Sequence, residues 1–460
     1  MTTKRISLYS HVPIITLLMI FLIIKLQSLG IRASDTNIYF YTAKEMLAGK
    51  ALYRDIFFTN FPVIPYAAVF YNLLSHGSLL FYYFTACLEV MISGFIIYRL
   101  SLKSTQSILL SLCSASLFLY SFIILATSDH QSGVFLAALF TLLSFSFFIE
   151  KKVLAAGIFA TLALLTKAYT LPFFTTIFLM LLIENRKNIS RYIIGCLATA
   201  GVVLLPAILS GPKNIWHDVF SYSLMRSQGL SKIGIMWFTM QHDLILVLLI
   251  ISSIFLIKRY RFYGIFSLCS VVFFIFYKDI YYLYLVVTTP ILCLFFTELM
   301  RDLLKKYPIQ LLMIPTVLLV FVSYNFISYF TGYNQLQRLT QLPEMIRVIK
   351  AEKPTALYGV NGITPALAHL SQTPLLNNIV DTNDNIFRKG YLDAKVLTNE
   401  AIKQHALVIT QGVWYPQLGI REDILTDVVI AETIRNNCRV IKRFNFNSEG
   451  DTNTIAFYRC

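Results

Sequence analysis

An α-helical polytopic membrane fold, with about eleven transmembrane helices and a small C-terminal soluble α/β domain, is predicted by three observations. The first is composition: 57% of the 460 residues are hydrophobic and 14% charged, with a mean hydropathy of +0.65. So little polar surface cannot cover a water-soluble globule, so lipid must be the solvent for most of the chain. The second is where the basic residues fall, and the third is a change of character near Thr331.

The formal net charge of +15 does not gather into one patch interleaved with stacking aromatics, which argues against nucleic acid. The charge falls in short clusters between apolar runs: Lys4/Arg5, Arg99/Lys103, Lys151/Lys152, Arg186/Lys187/Arg191, Lys258/Arg259/Arg261 and Arg301/Lys305/Lys306. Every second connection carries one, as the positive-inside rule requires of a chain whose N-terminus is cytoplasmic. The predicted spans are 13–30, 79–100, 104–122, 132–149, 153–167, 169–184, 191–209, 243–257, 262–277, 281–299 and 309–330. An odd count places the C-terminus outside. A cleaved signal peptide is the competing reading of residues 1–33, but Lys25 interrupts its apolar run and can snorkel toward the outer interface.

From Thr331 onward no long apolar run remains, and the chain divides into a transmembrane domain, 1–330, and an extracytoplasmic α/β domain, 331–460. The segments TALYGV, HALVITQGV, RVIKRFNF and NTIAFYR read as strands, and LPEMIRVIKAE and NEAIKQH as helices. Cys438 and Cys460 lie on strand-like runs either side of the turn-rich NSEGDTN, so a hairpin turning near Glu449 sets the two sulfurs opposite each other. The other cysteines, Cys87, Cys113, Cys196, Cys269 and Cys293, lie at scattered depths in apolar spans without metal-site spacing.

No repeat relates two halves of the chain, as an inverted-repeat transporter would show. The long first outer loop, 31–78, concentrates the polar chemistry on the outer face. There Ser34 or Asp35 can N-cap a helix ending at Gly49, with Tyr39, Ala43, Met46 and Leu47 on one face, which predicts an amphipathic helix lying along the membrane surface. A second apolar helix, from about Pro65 to Leu74, is too short to span.

Several polar groups admit both a structural and a chemical role. Asp35 is either a cap carboxylate, worth about 0.5–2 kcal/mol, or a general base near a sheltered interface. Arg54 and Asp55 form either a surface ion pair or a phosphate-binding cation beside a second carboxylate. Asp129 and His130, in ATSDHQSG, either cap the next helix or supply a carboxylate and a proton carrier, with no metal-binding spacing around them. Lys167 lies between two apolar segments too closely joined for an ordinary loop, and an ammonium there either snorkels or pairs with an anion.

The order of these elements resembles that of the GT-C type integral-membrane glycosyltransferases, in particular the protein O-mannosyltransferases and the lipid A aminoarabinose transferases. The likeness rests on Asp35, Tyr39, Ala43, the run Gly49-Lys50-Ala51-Leu52-Tyr53-Arg54-Asp55, Pro62, Asp129, and the segment Gly157 to Lys167. One departure is Thr36, where many relatives carry a second acidic residue. The resemblance implies an inverting transferase on the outer face of the inner membrane, moving a sugar from a polyprenyl-phosphate donor to a glycan, glycolipid or protein acceptor. It implies Asp35 as general base, Lys167 and Arg54 as donor-phosphate ligands, and Asp55, Asp129, His130 and Tyr39 in support. No cofactor is implied with certainty, and a divalent metal has no ligand set to support it. A flippase or transporter, and a ligase or polymerase of envelope polysaccharide, are the rival classes.

Overall fold

Uninterrupted apolar runs leave the backbone no partner but itself, so most of the chain is helical. The computed structural model describes residues 11–225, 229–278, 280–307, 313–334, 338–415, 420–422, 430–448 and 451–460. In chain order the helices are α1 (Val12–Ser28), α2 (Asp35–Leu47), α3 (Val63–Leu74), α4 (Leu79–Thr105), α5 (Ile108–Leu119), α6 (Phe122–Thr127), α7 (Val134–Ile149), α8 (Val153–Thr166), α9 (Leu171–Glu184) and α10 (Ile189–Ser210). There follow α11 (Pro212–Ile215), a π-helical stretch Trp216–Ser221, α12 (Tyr222–Met225), α13 (Lys232–His242), α14 (Leu244–Phe255), α15 (Arg261–Phe276), α16 (Thr289–Lys306) and α17 (Met313–Ser328).

Two compact units emerge: Met1–Leu29, Phe84–Leu205 and Gln228–Asn334 form the first, and Gly30–Tyr83, Pro206–Ser227 and Gln335–Cys460 the second. Among the described residues, Leu79–Thr105, Arg186–Ser210 and Pro315–Tyr333 are long and apolar enough to cross a membrane singly. The pair α13 and α14 qualifies jointly but bends by 107°, and the other apolar helices are shorter. Two predicted spans are broken rather than continuous. Residues 104–122 contain α5 and then the start of α6, and 281–299 open with a 3-10 turn, Tyr282–Val287, before α16. Window-averaged hydropathy does not register such breaks.

The bend between α13 and α14 has a visible cause. Asp243, at the break and 2% exposed, turns its carboxylate to the N-terminus of α6, accepting from Phe122 N at 2.9 Å and Ile123 N at 3.0 Å. It thereby satisfies helix-start donors that no side chain of α6 itself reaches. Nearby, α8 and α10 pass closely: a Cβ on Gly157 would collide with the Tyr192 carbonyl, and one on Gly195 with the Leu154 carbonyl. That explains the glycine of the Gly157–Lys167 segment as a helix-crossing point.

In the second unit the four expected strands appear, within β1 (Leu357–Gly359), β2 (Leu407–Tyr415), β4 (Arg439–Ser448) and β5 (Asp451–Arg459), with a short β3 (Ile420–Glu422) added on β2. The order is β1-β2-β5-β4, with β1 parallel to β2 and the remaining pairs antiparallel. Ala406, Val408, Ala456 and Tyr458 alternate toward one buried face, covered by the helices Ala394–Lys403 and Ala431–Asn437. The stretch LPEMIRVIKAE forms α18 (Leu342–Glu352).

Cys438 and Cys460, flanking the β4–β5 hairpin, are joined in a disulfide. Closing a loop of this size contributes about 3 kcal/mol. Both thiols should therefore resist labelling in membranes until a reductant is added, and Cys438→Ser should lower the melting temperature; full labelling before reduction would show the bridge does not form.

Candidate functional site

The start of α2 is pinned by backbone and side-chain bonds. Ser34 N donates to Gly362 O at 3.2 Å, and Asn37 Nδ2 donates to Arg32 O at 2.7 Å and also to Gly362 O. The buried Tyr83 hydroxyl lies 3.0 Å from Ser34 Oγ and 2.8 Å from Arg32 O. Gly362 has φ +71, and a Cβ there would press on Ser34 N at 3.0 Å, so this close approach requires glycine. Ser34 occupies the N-cap position without capping through its side chain, because its hydroxyl is turned to Tyr83.

Asp35 is the first residue of the helix, exposed to solvent, and forms no hydrogen bond or ion pair among the described residues. The capping expectation is thus corrected: the carboxylate is held at the positive end of a rigid helix without a structural partner. The surface-lying amphipathic helix is corrected as well. Residues Thr36 through Ala43 are all buried, because α2 packs on α3 and on the tail helix α19 (Thr364–Ser371), with Phe40 edge-on to His369 at 4.7 Å. Tyr39 is buried edge-on against Phe58 at 5.9 Å.

Tyr53, at φ 67, turns the chain so that its ring is buried while Arg54 and Asp55 face outward. Arg54 grips Asp55 with both arms, Nε at 3.0 Å and Nη2 at 2.8 Å, and Ala51 N adds a third bond at 2.8 Å. The Arg54 hydrogen bonds, aided by that amide, hold the Asp55 carboxyl down at about 2. Such a carboxylate is a poor proton acceptor near neutral pH, and the guanidinium is engaged by it.

The first unit holds the other three expected residues. Lys167 ends α8 in extended backbone, φ −145 and ψ 123, and a single 3-10 turn, Ala168–Thr170, carries the chain directly into α9. Its side chain is half-buried, and next to it Tyr169 stacks on Tyr284 at 4.0 Å. Asp129 and Ser128 do not cap the following helix, whose N-cap is Gly133; Ser128 instead closes α6.

Asp129, 3% exposed, is ion-paired with Lys25, also 3% exposed. Ser28 Oγ donates to Asp129 Oδ1 at 2.9 Å and Tyr329 OH to Oδ2 at 2.8 Å, while Lys25 Nζ donates to Leu125 O at 2.7 Å. The expected snorkelling of Lys25 is therefore corrected: its ammonium turns into the helix core, where Asp129 offsets its desolvation. His130 follows Asp129, half-exposed. Lys25 inside the first apolar run and Asp129 in the second outer loop were the sequence signals of this network; Tyr329 and Ser28 carried none. Among the described residues no three His, Cys, Asp or Glu side chains gather as metal ligands.

Broken apolar helices and a first loop packed against an α/β tail make up a fold that solved structures share, in agreement with the resemblance seen in the first loop. The particular likeness is to ArnT from Cupriavidus metallidurans, whose crystal structure in the apo state matches with a TM-score of 0.60 at 14% sequence identity, over 96% of this chain and 97% of that one. The structure of that protein bound to undecaprenyl phosphate matches with a TM-score of 0.56 at 13% identity, over the same shares of 96% and 97%. At such identities the match is one of fold. No protein-family model and no curated protein sequence matches the chain.

Proposed function

We propose that the protein is an integral-membrane glycosyltransferase that moves a sugar from a polyprenyl-phosphate carrier to an acceptor hydroxyl at the outer face of the inner membrane. The observation that carries this reading is the ArnT fold spanning 96% of the chain, in a neighbour that holds undecaprenyl phosphate. The Cys438–Cys460 disulfide supports an oxidising compartment for the tail, and hence an outward C-terminus.

In this reading Asp35 takes the proton from the acceptor hydroxyl as that oxygen attacks the anomeric carbon and the lipid phosphate leaves. Its exposure and lack of a partner suit it to the role, and the low proton affinity of Asp55 makes that residue the weaker candidate. Lys167 balances the leaving phosphate, being a half-buried cation on a short, rigid turn. Arg54 joins it only by releasing Asp55, and Asp129 supports the fold through Lys25 rather than touching the reacting atoms.

Incubating membranes that contain the protein with a panel of radiolabelled polyprenyl-phosphate sugars tests the class: transfer of label to endogenous acceptor supports it, and no turnover of any donor refutes it. Lys167→Ala should raise the KM for the active donor about tenfold or more, with Lys167→Arg recovering part of the loss. Unchanged donor kinetics at equal protein level would return Lys167 to a structural role.

A further inference from the structure

The second unit contains a group of side chains that the proposed transfer does not use, built around the π-helical stretch Trp216–Ser221. In an α-helix residues five apart project roughly 140° from each other. The i→i+5 bonding of a π turn instead brings them toward one side. Here His217 and Tyr222, five apart, both contact Tyr391, with ring centroids at 4.6 and 5.5 Å. Phe57 flanks the same ring at 6.5 Å.

Beneath His217 lies Asp218, 4% exposed, with Oδ1 2.9 Å from His217 Nδ1. Burial pushes the Asp218 carboxyl above its usual range, and the contact with His217 opposes that shift. The carboxylate holds the imidazole through Nδ1 while the His217 side chain stays 57% exposed. On the other flank, Gly390 and Leu392, the neighbours of Tyr391, line a cavity of about 410 Å³ together with Phe387, Arg388, Asp393 and Ala394. Aromatic faces beside a fixed imidazole, a guanidinium and a carboxylate suit a ligand with an apolar C–H face and a rim of hydroxyls. A saccharide has that character.

We infer that His217, Tyr391 and the adjoining cavity form a saccharide-binding site that holds the acceptor glycan. The acceptor role rests on the transferase reading, whereas sugar binding as such does not. The full-length protein in detergent can be examined by saturation-transfer NMR with methyl α-D-glucopyranoside, methyl α-D-galactopyranoside and methyl α-D-mannopyranoside. At least one glycoside should receive saturation at its ring C–H protons. Tyr391→Ala and His217→Ala should weaken its binding about tenfold, while Tyr391→Phe, which keeps the ring, retains it and controls for misfolding. No saturation of any glycoside by the unaltered protein, or equal saturation by Tyr391→Ala and His217→Ala, overturns the site. Sugar binding that persists in a protein turning over no polyprenyl-phosphate donor would sink the transferase reading and the acceptor role, leaving the saccharide site standing.

Discussion

Asp35→Asn should reduce glycosyl transfer by roughly 10²–10⁴-fold, the range a positioned general base supplies, with insertion and abundance unchanged. The substitution keeps size and shape, and it removes no contact, since Asp35 makes no hydrogen bond or ion pair among the described residues. Loss of a favourable charge at the helix start accounts for about 0.3–1 kcal/mol of stability, too little to empty the membrane of protein. The start of α2 is held by Asn37, Tyr83 and Gly362, so the position of residue 35 survives the change. Donor turnover measured beside immunoblotted abundance decides the matter. Transfer within a few-fold of the parent would remove Asp35 from the chemistry, and a dead Asp55→Asn in the same series would move the base to Asp55.

Lys25→Met should be the most damaging substitution for the fold. It removes the ammonium paired with Asp129, a residue 3% exposed that also accepts from the Ser28 and Tyr329 hydroxyls at 2.9 and 2.8 Å. Breaking one side of a buried pair costs about 3–5 kcal/mol. Low abundance and a melting temperature well below that of the parent are expected. The double variant Lys25→Met/Asp129→Asn should recover much of the loss, because no uncompensated charge remains and a buried pair is frequently no better than a neutral substitute. A single variant as stable as the parent, or a double variant no better than the single one, would show that the pair does not hold these helices together.

Much was determined by the sequence alone, because it rests on local physics. Hydropathy and scattered charge marked a membrane chain, and the alternation of TALYGV, HALVITQGV, RVIKRFNF and NTIAFYR placed the strands of the tail. The two strand-like runs either side of NSEGDTN set Cys438 opposite Cys460, the expected turn at Glu449 lying outside the described residues. The first-loop residues pointed to a GT-C fold, as the ArnT likeness bears out. Tertiary structure alone decided which polar groups are occupied. Lys25 and Asp129 lie 104 residues apart in the sequence, and each is legible singly as a snorkelling cation or a cap; their pairing emerges when α1 packs beside the α6 end. Asp243 bends one helix by capping another, and Thr36–Ala43 are buried on every side because a tail helix covers them. Hydrogen bonds and ion pairs between segments distant in the chain follow from packing, and packing has no period that a single sequence displays.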